Sequence, residues 1–314
     1  MISTNIEQAA QLLRAGQLVA FPTETVYGLG ALALDAVAVA RIFEAKQRPR
    51  FDPLIVHVAE ASEAFGLCVQ PPSRLAELLA RTFWPGPLTL VLPKASCMPD
   101  IVTSGLPSVA LRVPAHPIAQ QLLRAVNAPV AAPSANRFGQ VSPTQAAHVD
   151  ADLGAAVTVI LDGGPCQRGV ESTVLSLVDD RPTLLRPGAT ALEDIEAIIG
   201  PIHVSCNGGS APQSPGQLTS HYAPRTPMQP LSLETLPKPH ERVGLLAFQP
   251  RTATGFAALE VLSATGNLVE AAAALFAALR RLDSEHLDRI VCEMVPPHGV
   301  GVAINDRLAR GCAR

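Results

Sequence analysis

Leu18-Val-Ala-Phe-Pro-Thr-Glu-Thr-Val-Tyr-Gly-Leu-Gly-Ala-Leu-Ala33 is the stretch on which the fold turns. Leu18 to Phe21 is a short apolar run, which predicts a buried strand, and Pro22-Thr-Glu-Thr25 predicts a polar turn after it. Gly28-Leu-Gly30-Ala-Leu-Ala33 matches the G-x-G-x-x-A of a dinucleotide fold, and Asp52 follows at about the twenty-residue distance the fingerprint asks. Placement argues against that match. The glycines should follow their strand directly, yet Pro22 to Tyr27 intervene, and Asp52 precedes the apolar run Leu54-Ile-Val-His-Val58 when it should close it. The chain also has no G-x-x-x-x-G-K-[ST] phosphate loop and no G-x-S-x-G nucleophile elbow.

Outward from this stretch, short apolar runs alternate with helical patterns, as in an α/β domain. Ile6 to Arg14 predicts a helix ended by Gly16, and Asp35 caps a second helix, Ala36 to Gln47, that must stop before Pro49. Further strands are expected at Leu88 to Leu92, Val109 to Val113, Val130 to Ala132, Val157 to Leu161, Val174 to Val178 and Thr183 to Arg186. So irregular a series predicts a twisted mixed sheet over residues 1–200. Residues 201–240 change texture: Pro201, Pro212, Pro215, Pro224, Pro227, Pro230, Pro237 and Pro239 among Gly, Ser and Gln predict a linker. Within it, Ser214-Pro-Gly-Gln-Leu-Thr-Ser-His-Tyr-Ala-Pro224 carries more polar and aromatic chemistry than a spacer needs. Residues 241–314 then predict a small second α/β domain. Its strands are Val243 to Phe248 and Ile290 to Val295 around a helix Leu268 to Leu282, with a last helix after Gly299-Val-Gly301 that ends near Arg310.

A chain of 314 residues, 48% hydrophobic and with a net charge near −3, is long enough for two cores and has no global pull toward nucleic acid. Six scattered cysteines (Cys68, Cys97, Cys166, Cys206, Cys292, Cys312) without a C-x-x-C pair predict reduced thiols, no zinc site and no disulfide framework. The N-terminus lacks the pattern of a signal peptide, and Ala271 to Leu279 is too short to span a bilayer, so a cytoplasmic protein is expected.

The chemistry-bearing residues stand at strand and helix ends. Lysine is rare, and Lys46 in Lys46-Gln-Arg48 lies at a helix stop, where a cation either complements the helix dipole or binds phosphate. Arg112 lies on the sheet face opposite Val109, Leu111 and Val113, aimed into solvent or into a cleft where its fork could hold a carboxylate. Ser134-Ala-Asn136 follows a strand end, which is either an ordinary turn or the place where open sheets bind ligands. His57, inside a strand, is either a core histidine or a ligand.

The ordered series Pro22-Thr-Glu-Thr-Val-Tyr-Gly-Leu-Gly30, Lys46-Gln-Arg48-Pro49, Pro53-Leu-Ile-Val-His57, Leu111-Arg-Val-Pro114, Ala132-Pro-Ser-Ala-Asn136, Glu171-Ser-Thr173 and Leu185-Arg-Pro-Gly188 resembles the YrdC-like family of L-threonylcarbamoyladenylate synthases. Ser214 to Pro224 and Gly299 to Arg310 resemble the linker motif and the end of the accessory C-terminal domain of the family's long form. The resemblance implies a YrdC-like twisted mixed sheet with helices, followed by a small Rossmann-like α/β C-terminal domain. It implies that L-threonine, bicarbonate (or CO2) and ATP give threonylcarbamoyl-AMP and pyrophosphate, the first step of threonylcarbamoyladenosine modification of tRNA. A separate transferase complex would complete that modification. The enzyme class would be nucleotidyltransferase, with Mg²⁺ arriving with ATP and no dedicated metal ligands. By the same resemblance Thr25, His57, Arg112, Ala132 and Ser172 would surround threonine. Arg48, Asp52, Ser108, Ser134, Ser142, Arg186 and Tyr222 would surround ATP, with Tyr222 folding over the nucleotide, and Lys46, Arg48, Ser134 and Asn136 would serve the reaction itself. The family often has asparagine at Asp52, and a carboxylate there repels a triphosphate unless a metal or an arginine lies between. Two other readings use the same residues. One is a carbamoyl-adenylate enzyme serving another acceptor, which should bring zinc-finger or transferase domains. The other is a non-catalytic RNA-binding module, with Arg41, Lys46, Arg48 and Arg50 as its phosphate footprint.

Overall fold

The computed structural model describes residues 1–49, 51–69, 71–205, 214, 216 and 218–313. Arg50, Cys206, Pro212 and Pro215, named above, lie outside them. The strands of the first sheet are β1 (Ile2–Ser3), β2 (Val19–Pro22), β3 (Tyr27–Leu32), β4 (Ile55–His57), β5 (Leu88–Pro93) and β6 (Ser108–Arg112), then β7 (Val130–Ala131), β8 (Val159–Leu161), β9 (Thr173–Ser176), β10 (Thr183–Arg186) and β11 (His203–Val204). They run in the order β1-β8-β2-β3-β7-β4-β6-β5-β9-β10-β11. The pairs β1·β8, β8·β2, β4·β6, β5·β9 and β10·β11 are parallel and the rest antiparallel, the mixed sheet that the irregular pattern predicts. A second sheet of β12 (Met228–Pro230), β13 (Val243–Ala247), β14 (Ala258–Val261) and β15 (Arg289–Cys292), ordered β12-β15-β13-β14, is wholly parallel. β13 is buried along its full length, as a central strand covered on both faces must be.

Local chemistry explains the elements that frame the site. The helix Ile6–Arg14 is capped by Asn5, whose side chain accepts from the Gln8 amide, and Gly16 at φ +72° turns the chain out of it. Asp35 accepts from the Val37 and Ala38 amides and starts Ala36–Lys46 as expected, and Gln47 in the left-handed region stops it. The stretch Tyr27–Leu32, to which the sequence reading assigns no strand, is β3. Its glycines serve close packing: a Cβ on Gly30 would stand 2.9 Å from the Phe21 ring, and one on Gly28 would press on Ala132 at 3.2 Å. Neither glycine lies in a phosphate-binding turn. The two-residue strands β1, β7 and β11, and the strands β12 and β14, add to or shorten the expected set.

Two apolar layers cover the first sheet. Ala36–Lys46 and Arg74–Phe83 pack on one face, and Ile6–Arg14 and Pro117–Val126 on the other. The core of the second sheet is built by the helices Leu268–Asp283 and Gly301–Cys312, and it also takes in Val26, Val141, Val170 and Tyr222. The second core is therefore closed by residues of the first sheet's loops. Among the described residues no helix is long and apolar enough to cross a membrane.

Candidate active site

The site begins in the hairpin between β2 and β3. Thr23 Oγ1 donates to the Val26 carbonyl at 2.7 Å and accepts from the amides of Thr25 and Val26, each at 3.2 Å. That turn sets Glu24 and Thr25 against Arg112, the last residue of β6. Arg112 Nη2 meets Glu24 Oε1 at 2.7 Å, Nη1 donates to Thr25 Oγ1 at 3.0 Å, and Nε donates to the Gly86 carbonyl at 3.2 Å. Burial pushes the Glu24 carboxyl up, but the Arg112 guanidinium and the Ala115 amide at 3.0 Å hold it below the usual carboxylate range. Arg112 thus points into a cleft, one of the two directions its strand position leaves open. A guanidinium has five N–H donors. The bonds described take three, leaving one N–H on each terminal nitrogen, the spacing a carboxylate needs.

His57 stands beside Arg112, in register on the parallel strand β4. It is buried and edge-on to Phe21, and its Nδ1 has no hydrogen-bond partner among the described residues. Burial and the neighbouring Arg112 charge push its pKa down to about 3, so the imidazole is neutral at physiological pH. Ser172, just before β9, shares a 2.8 Å hydroxyl contact with Thr89. It also accepts from Arg186 Nη2, at 2.8 Å on its carbonyl and 3.2 Å on its hydroxyl. Upstream of the site, Trp84 donates its indole N–H to the Leu88 carbonyl at 2.7 Å, two residues before the Gly86 that Arg112 holds.

Thr25, Arg48, His57, Arg112, Ala132, Ser134, Ser172, Arg186 and Tyr222 line one cavity, joined by Gly28, Glu171, Gly216 and His221. Among the described residues, the lining cations are Arg48, Arg112 and Arg186, and the lining carboxylate is Glu171. Of the other five expected residues, Lys46, Asp52, Asn136 and Ser142 stand behind this wall and Ser108 does not reach it. Lys46 is fully buried, and its Nζ donates to the carbonyls of Ser134 and Asn136, each at 2.5 Å. Burial, reinforced by Arg48, drives its pKa well below the ordinary lysine value. Asp52 faces Arg48 Nη2 at 2.8 Å, so an arginine does lie beside the carboxylate that would otherwise repel phosphate. Burial nevertheless pushes its carboxyl pKa up, against the pull of Arg48. Asn136 donates to the carbonyls of Arg137 and Gln140, both at 2.8 Å, and ties their loop. Ser142 donates to Glu171 Oε1 at 2.5 Å. Ser108 begins β6, at the end of the strand opposite Arg112.

Gly216, His221 and Tyr222 close one side of the cavity. Tyr222, at φ +60°, stacks on Phe276 of the helix Leu268–Asp283 with ring centroids 5.9 Å apart. Its phenol lies against Gly216, where a Cβ would sit 2.2 Å from the hydroxyl oxygen. His221 meets Tyr222 at 4.2 Å and Phe138 at 5.7 Å between centroids. Burial and the charges of Arg48 and Lys46 keep its imidazole neutral. The Ala223 amide donates to the Gly139 carbonyl at 3.0 Å.

Sequence reasoning missed Glu24, Glu171 as a cavity residue, and Arg307 behind it. Glu24 stood within a quoted motif, but its significance depends on a partner 88 residues away. The RNA footprint is weakened on two counts: Lys46 is buried, and Arg41 donates to the Gly16 carbonyl.

Comparison with known proteins agrees with this geometry. Residues 11–188 match the Sua5/YciO/YrdC family model, described by the words telomere recombination. Residues 190–313 match the threonylcarbamoyl-AMP synthase C-terminal domain. A threonylcarbamoyl-AMP synthase of Bacillus subtilis (strain 168) is 46% identical, over 98% of this chain and 94% of its own length. One of Pyrococcus abyssi is 44% identical, over 97% and 93%. The crystal structure of P. abyssi Sua5 complexed with L-threonine superimposes with a TM-score of 0.92 at 42% identity, over 98% of this chain and 94% of that one.

Proposed function

We infer the function from one premise: this chain belongs to the Sua5/YciO/YrdC family and carries the threonylcarbamoyl-AMP synthase C-terminal domain. It makes threonylcarbamoyl-AMP from L-threonine, bicarbonate or CO2 and ATP, releasing pyrophosphate, and so starts threonylcarbamoyladenosine formation on tRNA. The observation that carries this reading is Arg112, held by Glu24 and Thr25 with one further N–H on each terminal nitrogen, beside neutral His57 and in one cavity with Arg48 and Arg186.

In this reading Arg112 grips the threonine carboxylate, Thr25, His57, Ala132 and Ser172 surround the rest of the amino acid, and Glu24 holds Arg112 in place. The threonine amine adds CO2 and loses a proton to give the carbamate. A carbamate oxygen then forms a bond to the α-phosphorus of ATP while the bond to the bridging pyrophosphate oxygen breaks. The step needs alignment and charge neutralisation rather than a protein nucleophile. Arg48, Arg186 and Ser134 surround the phosphates, as the nucleotidyltransferase class requires. Lys46, Asp52, Asn136 and Ser142 act one layer back, by holding the Ser134 carbonyl, Arg48, the 137–140 loop and Glu171. Ser108, at the start of β6, would reach ATP from outside the described cavity lining. Mg²⁺ would accompany the phosphates of ATP and compensate their charge. The described residues contain no cluster of three His, Cys, Asp or Glu that would hold the ion by themselves.

We assign residues 1–200 as the catalytic unit, 201–240 as linker and lid, and 241–314 as the accessory unit. Tyr222 and His221 shield the adenylate from water. A cytoplasmic setting and hand-over to a threonylcarbamoyl transferase complex complete the proposal. Purified protein with ATP, Mg²⁺ and bicarbonate should release pyrophosphate only when L-threonine is added, and lose that release when bicarbonate is withdrawn. Folded protein that stays silent with threonine would overturn the reading.

A further inference from the structure

Arg307 belongs to the last helix, Gly301–Cys312, yet its side chain is fully buried against the loops of the first sheet. Its Nε donates to Glu171 Oε2 at 2.8 Å and its Nη2 to the Pro187 carbonyl at 3.0 Å. Its guanidinium carbon sits 4.7 Å from the centroid of the Tyr222 ring. Nη1 pairs with Asp306, which in turn pairs with Arg310 at 2.9 Å. Arg310 Nη1 then donates to the Leu218 carbonyl at 2.6 Å. One helix turn therefore touches Glu171, the Tyr222 ring and the backbone of the lid.

The charges give this arrangement a purpose. Glu171 is the carboxylate in the cavity wall, and a bare carboxylate there repels a polyphosphate. Glu171 and Asp306 against Arg307 and Arg310 form a balanced set of two negative and two positive groups. Without Arg307 the set carries an excess negative charge beside the nucleotide, and Tyr222 loses the cation against its ring. Arg307 does not itself line the cavity, so it must act through these two neighbours.

We propose that Arg307 is a positioning residue for ATP, by which the accessory unit neutralises Glu171 and seats Tyr222 over the nucleotide. The inference rests on the proposed assignment of Arg48, Arg186 and Tyr222 to ATP. It makes the accessory unit part of the substrate site as well as an anchor for the lid.

Calorimetric titration of the full-length protein with a non-hydrolysable ATP analogue, and separately with L-threonine, tests it. Arg307→Met should weaken the analogue by about 30-fold or more and leave threonine within about threefold. Glu171→Gln added to Arg307→Met should recover about tenfold, because the uncompensated charge is then gone. Arg307→Lys, which keeps the charge but not the fork, should fall between wild type and Arg307→Met. Unchanged analogue binding in Arg307→Met, equal weakening of both ligands, or no recovery in the double variant would overturn the proposal. If Arg307→Met does not fold, Arg307→Lys replaces it in the same comparison. If both fail to fold, the residue serves the fold alone and the idea falls. Wild-type protein that binds the analogue but releases no threonine-dependent pyrophosphate would count against the proposed reaction, not against Arg307.

Discussion

Glu24 and Arg112 lie 88 residues apart in the chain and 2.7 Å apart in the fold, and both are buried. Removing one partner of such a pair strands the other charge, so Arg112→Ala should cost about 3 kcal/mol of stability by urea denaturation. The same variant should lose about 2–3 kcal/mol of threonine binding, on the order of 100-fold, with ATP-analogue binding little changed. Adding Glu24→Gln should restore the stability and leave threonine binding lost, which separates Arg112's structural part from its proposed ligand part. His57 gives a pH dependence. The unfolded imidazole takes a proton as pH falls through its ordinary value near 6.5, but the folded one does so only near 3. The unfolded state therefore binds more protons across that window, and stability falls as pH falls from about 6.5 toward 3. The melting temperature should drop between pH 7 and pH 4.5, and His57→Gln should flatten that slope. His57 and Arg112 could be picked out from the sequence as polar residues inside apolar strands, and Ser172 through its place in the ordered motif series. Arg307 could not, since its partner Glu171 is 136 residues away and nothing local marks either as half of a pair.

The hairpin and lid show what a pattern can and cannot tell at the level of elements. β2 is legible as an apolar run, but β3 is masked by glycines, which in isolation punctuate turns. What decides β3 is contact with Phe21 and Val130, three-dimensional neighbours that leave no room for a side chain. The two-residue strands have no periodicity to read. In the lid, Ser214 to Pro224 stands out by composition, whereas the seat of Tyr222 between Phe276 and Arg307 depends on elements more than fifty residues on. If the lid shields the adenylate, Tyr222→Ala should still bind threonine but slow product formation by about 100-fold. It should also let pyrophosphate release outrun threonylcarbamoyl-AMP accumulation, because water then reaches the intermediate. Equal yields of the two products in that variant would remove the shielding role.

Across the whole molecule, contacts among the described residues tie the two units together. Arg280 of the helix Leu268–Asp283 reaches Asp152 with both terminal nitrogens, at 3.0 and 2.5 Å. Arg307 reaches Glu171. Gly169, at φ +68°, lies so close to the same long helix that a Cβ would stand 2.2 Å from the Ala272 carbonyl oxygen. Gly169→Leu should therefore prise the units apart at a cost of about 3 kcal/mol or more. Urea unfolding, expected as one transition in the wild type, should split into two. The change of texture near residue 201 announces two units in the sequence. Their interface has no such signature, because it is made by single residues from separate loops. The chain has one tryptophan and two tyrosines. Trp84 is two residues from the carbonyl that holds Arg112, Tyr27 begins β3 with its hydroxyl on the Gly164 carbonyl at 2.9 Å, and Tyr222 is the lid. Of these three, Tyr222 lines the cavity, while Trp84 lies in the core against Phe65 with ring centroids 6.2 Å apart. With so few chromophores, a change in tyrosine absorbance when ligand is added is a label-free gauge of the lid, read against only Tyr27 and Trp84.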